Sequence, residues 1–219
     1  MSDHAGTAEP SRVVHCADAL VWLREQALAH DAAIFTSLPD VVEFNHRDSA
    51  RWRAWFVAAA EQVLRCTPGT SAAIFYQTDT KRDGAWVDKS HLVQCAADAA
   101  GVPLLWHKVV CRAPAGTATF GRPGYAHLLC FAAQRRDAIE RATPDVLPEA
   151  GRMTWARAMG LAAAHTAVLW LRDHAGARTI VDPFCGVGTA LAVANHHGLA
   201  AIGVERNPGR AQKARELRL

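Results

Sequence analysis

The run Asp182-Pro183-Phe184-Cys185-Gly186-Val187-Gly188-Thr189 constrains this chain more than any other part of it. A short β-branched stretch, Thr179 to Asp182, leads into it, and a helix-forming stretch from about Thr189 to His197 leads out. A glycine-bearing turn between strand and helix stands at the carboxyl edge of an open α/β sheet, where such sheets bind ligands. Gly186 and Gly188 permit a tight turn and let a ligand approach the backbone. The spacing fits neither common phosphate loop. The third glycine of the dinucleotide fingerprint is missing, and no lysine follows as in a P-loop. An acidic residue in the loop disfavours phosphate and suits a cationic ligand that carries an amino-acid group. Glu205 closes the next strand-like run, Ala200 to Glu205, where a carboxylate can accept both hydrogen bonds of a ribose diol. The competing reading is a plain strand-to-helix turn with an unrelated glutamate beyond it.

The rest of the chain repeats the alternation of strand and helix. Strands are expected at Arg12 to Cys16, Ala32 to Thr36, Ser71 to Gln77, Val102 to Arg112 and Tyr125 to Ala133. Helices are expected at Ala19 to Ala29, Ser49 to Arg65, Lys89 to Ala100 and Thr154 to His174, with a further helical start running to Leu219. With the two strands around the glycine loop this makes seven, so the expectation is an α/β fold with a doubly wound, mostly parallel seven-stranded sheet. The Val102 and Tyr125 strands should form an antiparallel pair at one edge. Residues 1–10 read as a flexible tail and 11–219 as one domain. Thr78 to Asp88 and Gln134 to Gly151 read as polar connectors.

Composition sets outer limits. Hydrophobic residues make up 50% and charged residues 21%, which is ordinary for a globular chain. No apolar run is long enough to cross a bilayer, and the start lacks the layout of a signal peptide, so a cytoplasmic protein is expected. The six cysteines form no C-x-x-C pair, which argues against a metal site or disulfide framework. A net charge of +3 permits a nucleic-acid partner without requiring one.

The stretch DPFCGVGTALAVANHHGLAAIGVERNP resembles motifs I and II of class I S-adenosyl-L-methionine-dependent methyltransferases, in the form found in amino-methyltransferases of nucleic acids. That resemblance implies a Rossmann-like fold and S-adenosyl-L-methionine as cofactor. It implies that Asp182, Pro183, Phe184, Gly186, Gly188 and Thr189 cradle the methionine part and that Glu205 binds the ribose. The cofactor loop lies near the end of the chain. The N-terminal segment VVHCADALVWLREQALAHDAAIFTSLPD is similar to the circularly permuted members, which run in that order. By that match Asp18 contacts the adenine amino group; an N-cap of the following helix is the other reading, and the two are compatible.

Ser37-Leu38-Pro39-Asp40 stands where the family carries its catalytic [DNS]-P-P-[YFW] tetrad. In that tetrad the first side chain and the next carbonyl hold the target amino group, and the aromatic residue stacks on the base. This chain keeps the serine and the second proline and departs at Leu38 and Asp40. Stacking would then fall to Tyr76, Phe44 or a tryptophan, and Asp40 could hydrogen-bond a base, accept a proton or sit as a solvated turn carboxylate. His46, Gln77 and Asp79 are lesser candidates. The connectors are too short for a duplex-reading domain, and basic residues gather in loops at Lys81, Arg82, Arg112, Arg122, Arg135, Arg136 and Arg141. Structured RNA, tRNA or rRNA, is therefore the expected acceptor. The alternatives are a DNA amino-methyltransferase and a catalytically silent cofactor-binding subunit. Trp52, Trp86 and Trp106 could contribute to a homodimer face or pack in the core.

Overall fold

The structure, a computed structural model, describes residues 10–43, 48–82, 84–134 and 143–219. All but the last residue of the expected tail lies outside these residues, as do Phe44, His46, Arg135, Arg136 and Arg141.

The strands β1 (Arg12–His15), β2 (Ala32–Thr36), β3 (Ala73–Gln77), β6 (Leu104–Cys111), β7 (Tyr125–Phe131), β9 (Thr179–Asp182) and β10 (Ala200–Val204) are the seven expected from sequence. An eighth, the two-residue β8 (Val146–Leu147), pairs parallel to β6 through Val109 and Val110. It comes from the connector that reads as merely polar, and two residues are too few to show a period. The sheet order is β1-β10-β9-β2-β3-β7-β6-β8. Pairing is parallel from β1 through β3 and antiparallel where β7 inserts between β3 and β6. A separate hairpin, β4 (Thr80–Arg82) with β5 (Ala85–Val87), occupies the stretch expected to be an irregular loop.

Helices cover both faces. Alternation along β2 explains why: Ala33 and Phe35 join the core under α4 (Leu161–Ala175), α5 (Thr189–His196) and α6 (Pro208–Glu216). Ala32 and Ile34 join the opposite core under α1 (Ala19–Glu25), α2 (Ser49–Cys66) and α3 (Lys89–Ala100). A strand buried on both sides must be apolar at every position, as AAIF is here. Each fully buried Phe or Ile contributes about 1.5–3 kcal/mol. Trp52 belongs to this core at 1% exposure, and Trp106 packs edge-on against Trp170 at 5.3 Å, so neither supports a dimer face. No described helix is long and apolar enough to cross a membrane.

Helix ends follow local chemistry. Asp18, Asp48, Asp88 and Asn207 cap α1, α2, α3 and α6 through side-chain oxygens that accept backbone amides. The expected helix from Thr154 begins only at Leu161. Gly160 is its N-cap, and Met153 bridges Gly160 in a folded-back turn that precedes the helix. The glycine was the overlooked stop, since a glycine inside a helix costs about 1 kcal/mol.

The chain crosses the sheet so that β9 and β2 lie side by side while their onward connections diverge, β9 toward β10 and β2 toward β3. Such a reversal opens a crevice beyond the strand ends. There Gly188 caps α5 with φ 88°, and a Cβ on it would stand 2.9 Å from the Ala214 Cα. Gly188→Ala is expected to destabilise the fold by about 2 kcal/mol, read as a lower midpoint in urea unfolding at unchanged slope.

Candidate functional site

Asp182 ends β9 and is 1% exposed. Its Oδ1 accepts two hydrogen bonds, one from Thr36 Oγ1 at 2.6 Å and one from the Phe184 amide at 3.1 Å. The first ties the end of β9 to the end of β2. The second folds the loop into a turn. The loop is pinned again where the Cys185 amide donates to the Val204 carbonyl at 3.0 Å and the Gly188 amide to the Cys185 carbonyl at 2.8 Å. Burial drives the Asp182 pKa up to about 7; the bonds from Thr36 and Phe184 oppose this, and nearby Glu205 adds to it. The same burial, with both carboxylates close, pushes the Cys185 thiol up and keeps it protonated.

Glu205 follows β10 and is 8% exposed. Its backbone amide donates to the His15 carbonyl at 3.0 Å, which fixes it beside β1. Its Oε1 accepts the Asn207 amide at 2.7 Å and pairs with Arg210 at 3.1 Å. Arg210 also pairs with Glu43 at 3.0 Å, so one guanidinium joins the Glu205 carboxylate to the turn that follows the Ser-Leu-Pro-Asp corner. Sequence gives no hint of this pairing across 167 positions.

A cleft of about 210 Å³ opens between these elements. Asp18, Ser37, Leu38, Pro39, Asp182, Pro183, Phe184, Gly186, Thr189 and Glu205 all border it. The sequence-expected residues from both ends of the chain therefore converge, with Gly188 just behind as the α5 cap. Asp18 is the N-cap that the sequence allows, and it borders the cleft. Its Oδ1 caps α1 by accepting the Leu20 and Val21 amides at 3.0 Å, and the residue is exposed at the cleft. Trp55 meets Phe184 edge-on at 6.1 Å on the cleft wall.

Residues 152–160 bring Trp155, Arg157 and Met159 to the cleft, which sequence reading hid inside a helix. Thr154 Oγ1 and Thr189 Oγ1 lie 2.7 Å apart and fasten this turn to the glycine loop. The signals available were Gly160 and the lack of an apolar period before Leu161.

A second cavity, of about 300 Å³, shares Ser37, Leu38, Glu43, Arg157 and Ala158 with the first. Ser37 is half-buried at the junction. Leu38 is 3% exposed and packs in the α2-side core, so its side chain is a wall and only its backbone is free for polar work. The Pro39 carbonyl accepts Trp52 Nε1 at 3.3 Å. Asp40 is not a free carboxylate: its Oδ2 pairs at 2.8 Å with Lys89, whose side chain is 4% exposed, while the Asp40 side chain keeps 30% exposure. Tyr76 borders the second cavity, and burial pushes its phenol pKa up. Gln77 and Asp79 border it too. Asp79 accepts the Lys89 amide at 2.9 Å and lies 3.2 Å from His127 Nε2. Asp79, Asp88 and His127 place their ligand atoms within 4.8 Å of one another, but hydrogen bonds already occupy Asp79 and Asp88, and the cluster braces the start of α3.

These environments have measurable consequences. Asp182 titrates near about 7 when folded and at 3.8 when exposed, so folding favours its protonated form. That stabilisation is complete below about pH 3.8 and is lost as pH rises through about 7. Thermal unfolding across this range should show wild type losing stability relative to Asp182→Asn as pH rises; parallel curves would contradict the assignment. Asp40→Ala strands a buried ammonium and should destabilise the fold by about 3 kcal/mol, while Asp40→Ala combined with Lys89→Met should recover most of that loss in chemical denaturation.

No family model matches the chain, and no curated protein matches it by sequence. Solved structures do. A Thermus thermophilus protein assigned as a DNA modification methylase aligns over 94% of this chain and 93% of its own, at 19% identity and a TM-score of 0.71. The same protein complexed with S-adenosyl-L-methionine aligns over the same shares at 18% identity and a TM-score of 0.71. The PvuII cytosine-N4-specific DNA methyltransferase aligns over 94% of this chain and 87% of its own, at 13% identity and a TM-score of 0.67. At these identities the likeness establishes the fold, an α/β sheet of the kind those methyltransferases carry.

Proposed function

We propose that this chain is an S-adenosyl-L-methionine-dependent methyltransferase that modifies an exocyclic amino group of a nucleic-acid base. One observation carries the reading. Asp182 and Glu205, from one end of the chain, and the Ser37–Pro39 corner, from the other, border one cleft at the reversal of strand order. That order of arrival, acceptor corner first and glycine loop last, supports a circularly permuted arrangement.

The donor set fits the cofactor. A buried carboxylate that is costly to ionise alone gains most from a cationic partner. Gly186 presents bare backbone to the cleft, and a Cβ there would stand 4.0 Å from Trp155 and narrow the space. Glu205 leaves Oε2 outside its bonds to Asn207 and Arg210. The bound cofactor supplies a methyl group already activated on a sulfonium. The chain's own task is then alignment and exclusion of water. Asp182 and the loop backbone hold the methionine end, Glu205 holds the ribose hydroxyls, and Asp18 offers its second oxygen to the adenine amino group. Trp55, Phe184 and Trp155 wall the cleft against water. Ser37 and the Leu38 carbonyl, at the junction of the two cavities, orient the acceptor amine with its lone pair toward the methyl carbon.

DNA is the favoured acceptor. Among the similar structures, the PvuII enzyme is a cytosine-N4-specific DNA methyltransferase and the Thermus thermophilus protein is assigned as a DNA modification methylase. RNA, the expectation from the short connectors, stands second.

Methyl transfer from labelled cofactor to duplex DNA, single-stranded DNA and bulk tRNA and rRNA tests this. Label is expected in DNA. Asp182→Ala should weaken cofactor binding about tenfold or more, whereas Ser37→Ala should bind cofactor as wild type does and lose about tenfold or more in transfer. Cofactor binding without transfer to any nucleic acid would instead support a silent subunit.

A further inference from the structure

We infer that the rim of the second cavity binds single-stranded nucleic acid, with Trp86, Phe120 and Tyr125 as stacking platforms for unpaired bases. The inference rests on the nucleic-acid reading above and names the form of its substrate.

Three observations meet at this rim. First, Trp86, Phe120 and Tyr125 are the large aromatic side chains that stand exposed among the described residues, at 53%, 105% and 40%. None of the three lines the second cavity itself, but each is tied to a residue that does. Trp86 lies directly across the β4–β5 hairpin from Lys81, which borders the cavity, so both side chains share one face. Phe120 immediately precedes Gly121 and Arg122, which border it. The Tyr125 hydroxyl donates at 3.4 Å to Asp79, which borders it. Val42 and Met153 add further exposed apolar surface on the lining itself.

Second, the lining holds six cations against three carboxylates. Each carboxylate is already engaged: Asp40 with Lys89, Glu43 with Arg210 and Asp79 with His127. Lys81, Arg82, Arg112, Arg122 and Arg157 are left to attract a polyanion. Exposed aromatic faces set among cations are what a nucleic-acid strand with splayed bases requires.

Third, Trp86 sits on a hairpin of three-residue strands, Phe120 on the 112–124 loop between β6 and β7, and Tyr125 at the first residue of β7. None of these presents a helix to a major groove, and the hairpin is too short to serve as a ribbon there. A duplex keeps its base faces stacked internally, so only unpaired bases can use this rim. The cavity shares Ser37 with the proposed cofactor cleft, so a strand held at the rim has an open path to the proposed acceptor corner.

Fluorescence anisotropy tests this, with a mixed-sequence single-stranded DNA, its RNA counterpart and the same DNA as duplex, at fixed salt and with S-adenosylhomocysteine present. Single strands are expected to bind about tenfold or more tighter than duplex. The DNA and RNA arms tell which strand is preferred. Trp86→Ala and Phe120→Ala should each weaken single-strand binding about tenfold, and Trp86→Phe should restore it. Arg122→Ala should lower the slope of log affinity against log salt by about 0.7. Equal binding of duplex and single strand, or alanine variants that bind as wild type does, would overturn the inference and leave methyl transfer to nucleic acid standing. Failure to bind any of the three nucleic acids would overturn both.

Discussion

A hydrogen bond of 2.6 Å from Thr36 to Asp182 joins residues 146 positions apart, across the boundary where β2 and β9 lie together. The two strands belong to opposite ends of the polypeptide, and their ends define the crevice. Without the bond, a fully buried carboxylate would lack its strongest neutral support, and the loop that begins with it would lose its reference to the Ser-Leu-Pro-Asp corner that follows Thr36. The pair therefore fixes the relation between the cofactor side and the acceptor side of the proposed site. The remaining geometry is built around this point: the turn closed on Asp182, the Gly188 cap and the Glu205 amide bonded to β1.

The carboxylate is held at a cost that makes chemical sense. Burial drives its pKa up to about 7, so near neutrality it stands between its two protonation states. A cationic ligand tips that balance toward the charged form, and part of the ligand's binding energy is coupled to release of a proton. Arg210 treats Glu205 differently. It pairs that carboxylate at its mouth and reaches on to Glu43, so the wall of the cleft and the turn after Asp40 are linked through one side chain.

Much of this was legible from the residues alone. β2, α3 and β9 fall where their apolar runs and flanking signals place them, because a strand buried on both faces or a helix between Asp88 and Gly101 carries its limits in its own composition. The glycine loop and its two carboxylates were equally plain, since their spacing reflects a strand–turn–helix unit local in sequence. What escaped depends on distant partners. Asp40 reads as a free carboxylate until Lys89 arrives from α3, 49 positions on. The 152–160 turn reads as helix until Thr154 is seen bonded to Thr189. β8 exists only because β6 offers it an edge. Trp52 reads as an interfacial candidate and is a core residue, and the Leu38 side chain is likewise core while its carbonyl keeps the proposed acceptor role; both side chains are placed by packing that no short pattern records.

Asp182 is thus a buried carboxylate poised to receive a cation, in a cleft whose proposed occupant is S-adenosyl-L-methionine. Calorimetric titration with that cofactor at pH 6 and pH 8, in buffers of different ionisation enthalpy, tests this most directly. The expected result is one-to-one binding that is tighter at pH 8, with a proton released on binding at pH 6 and almost none at pH 8. Absence of binding, or an affinity and proton balance that do not change between the two, would contradict it.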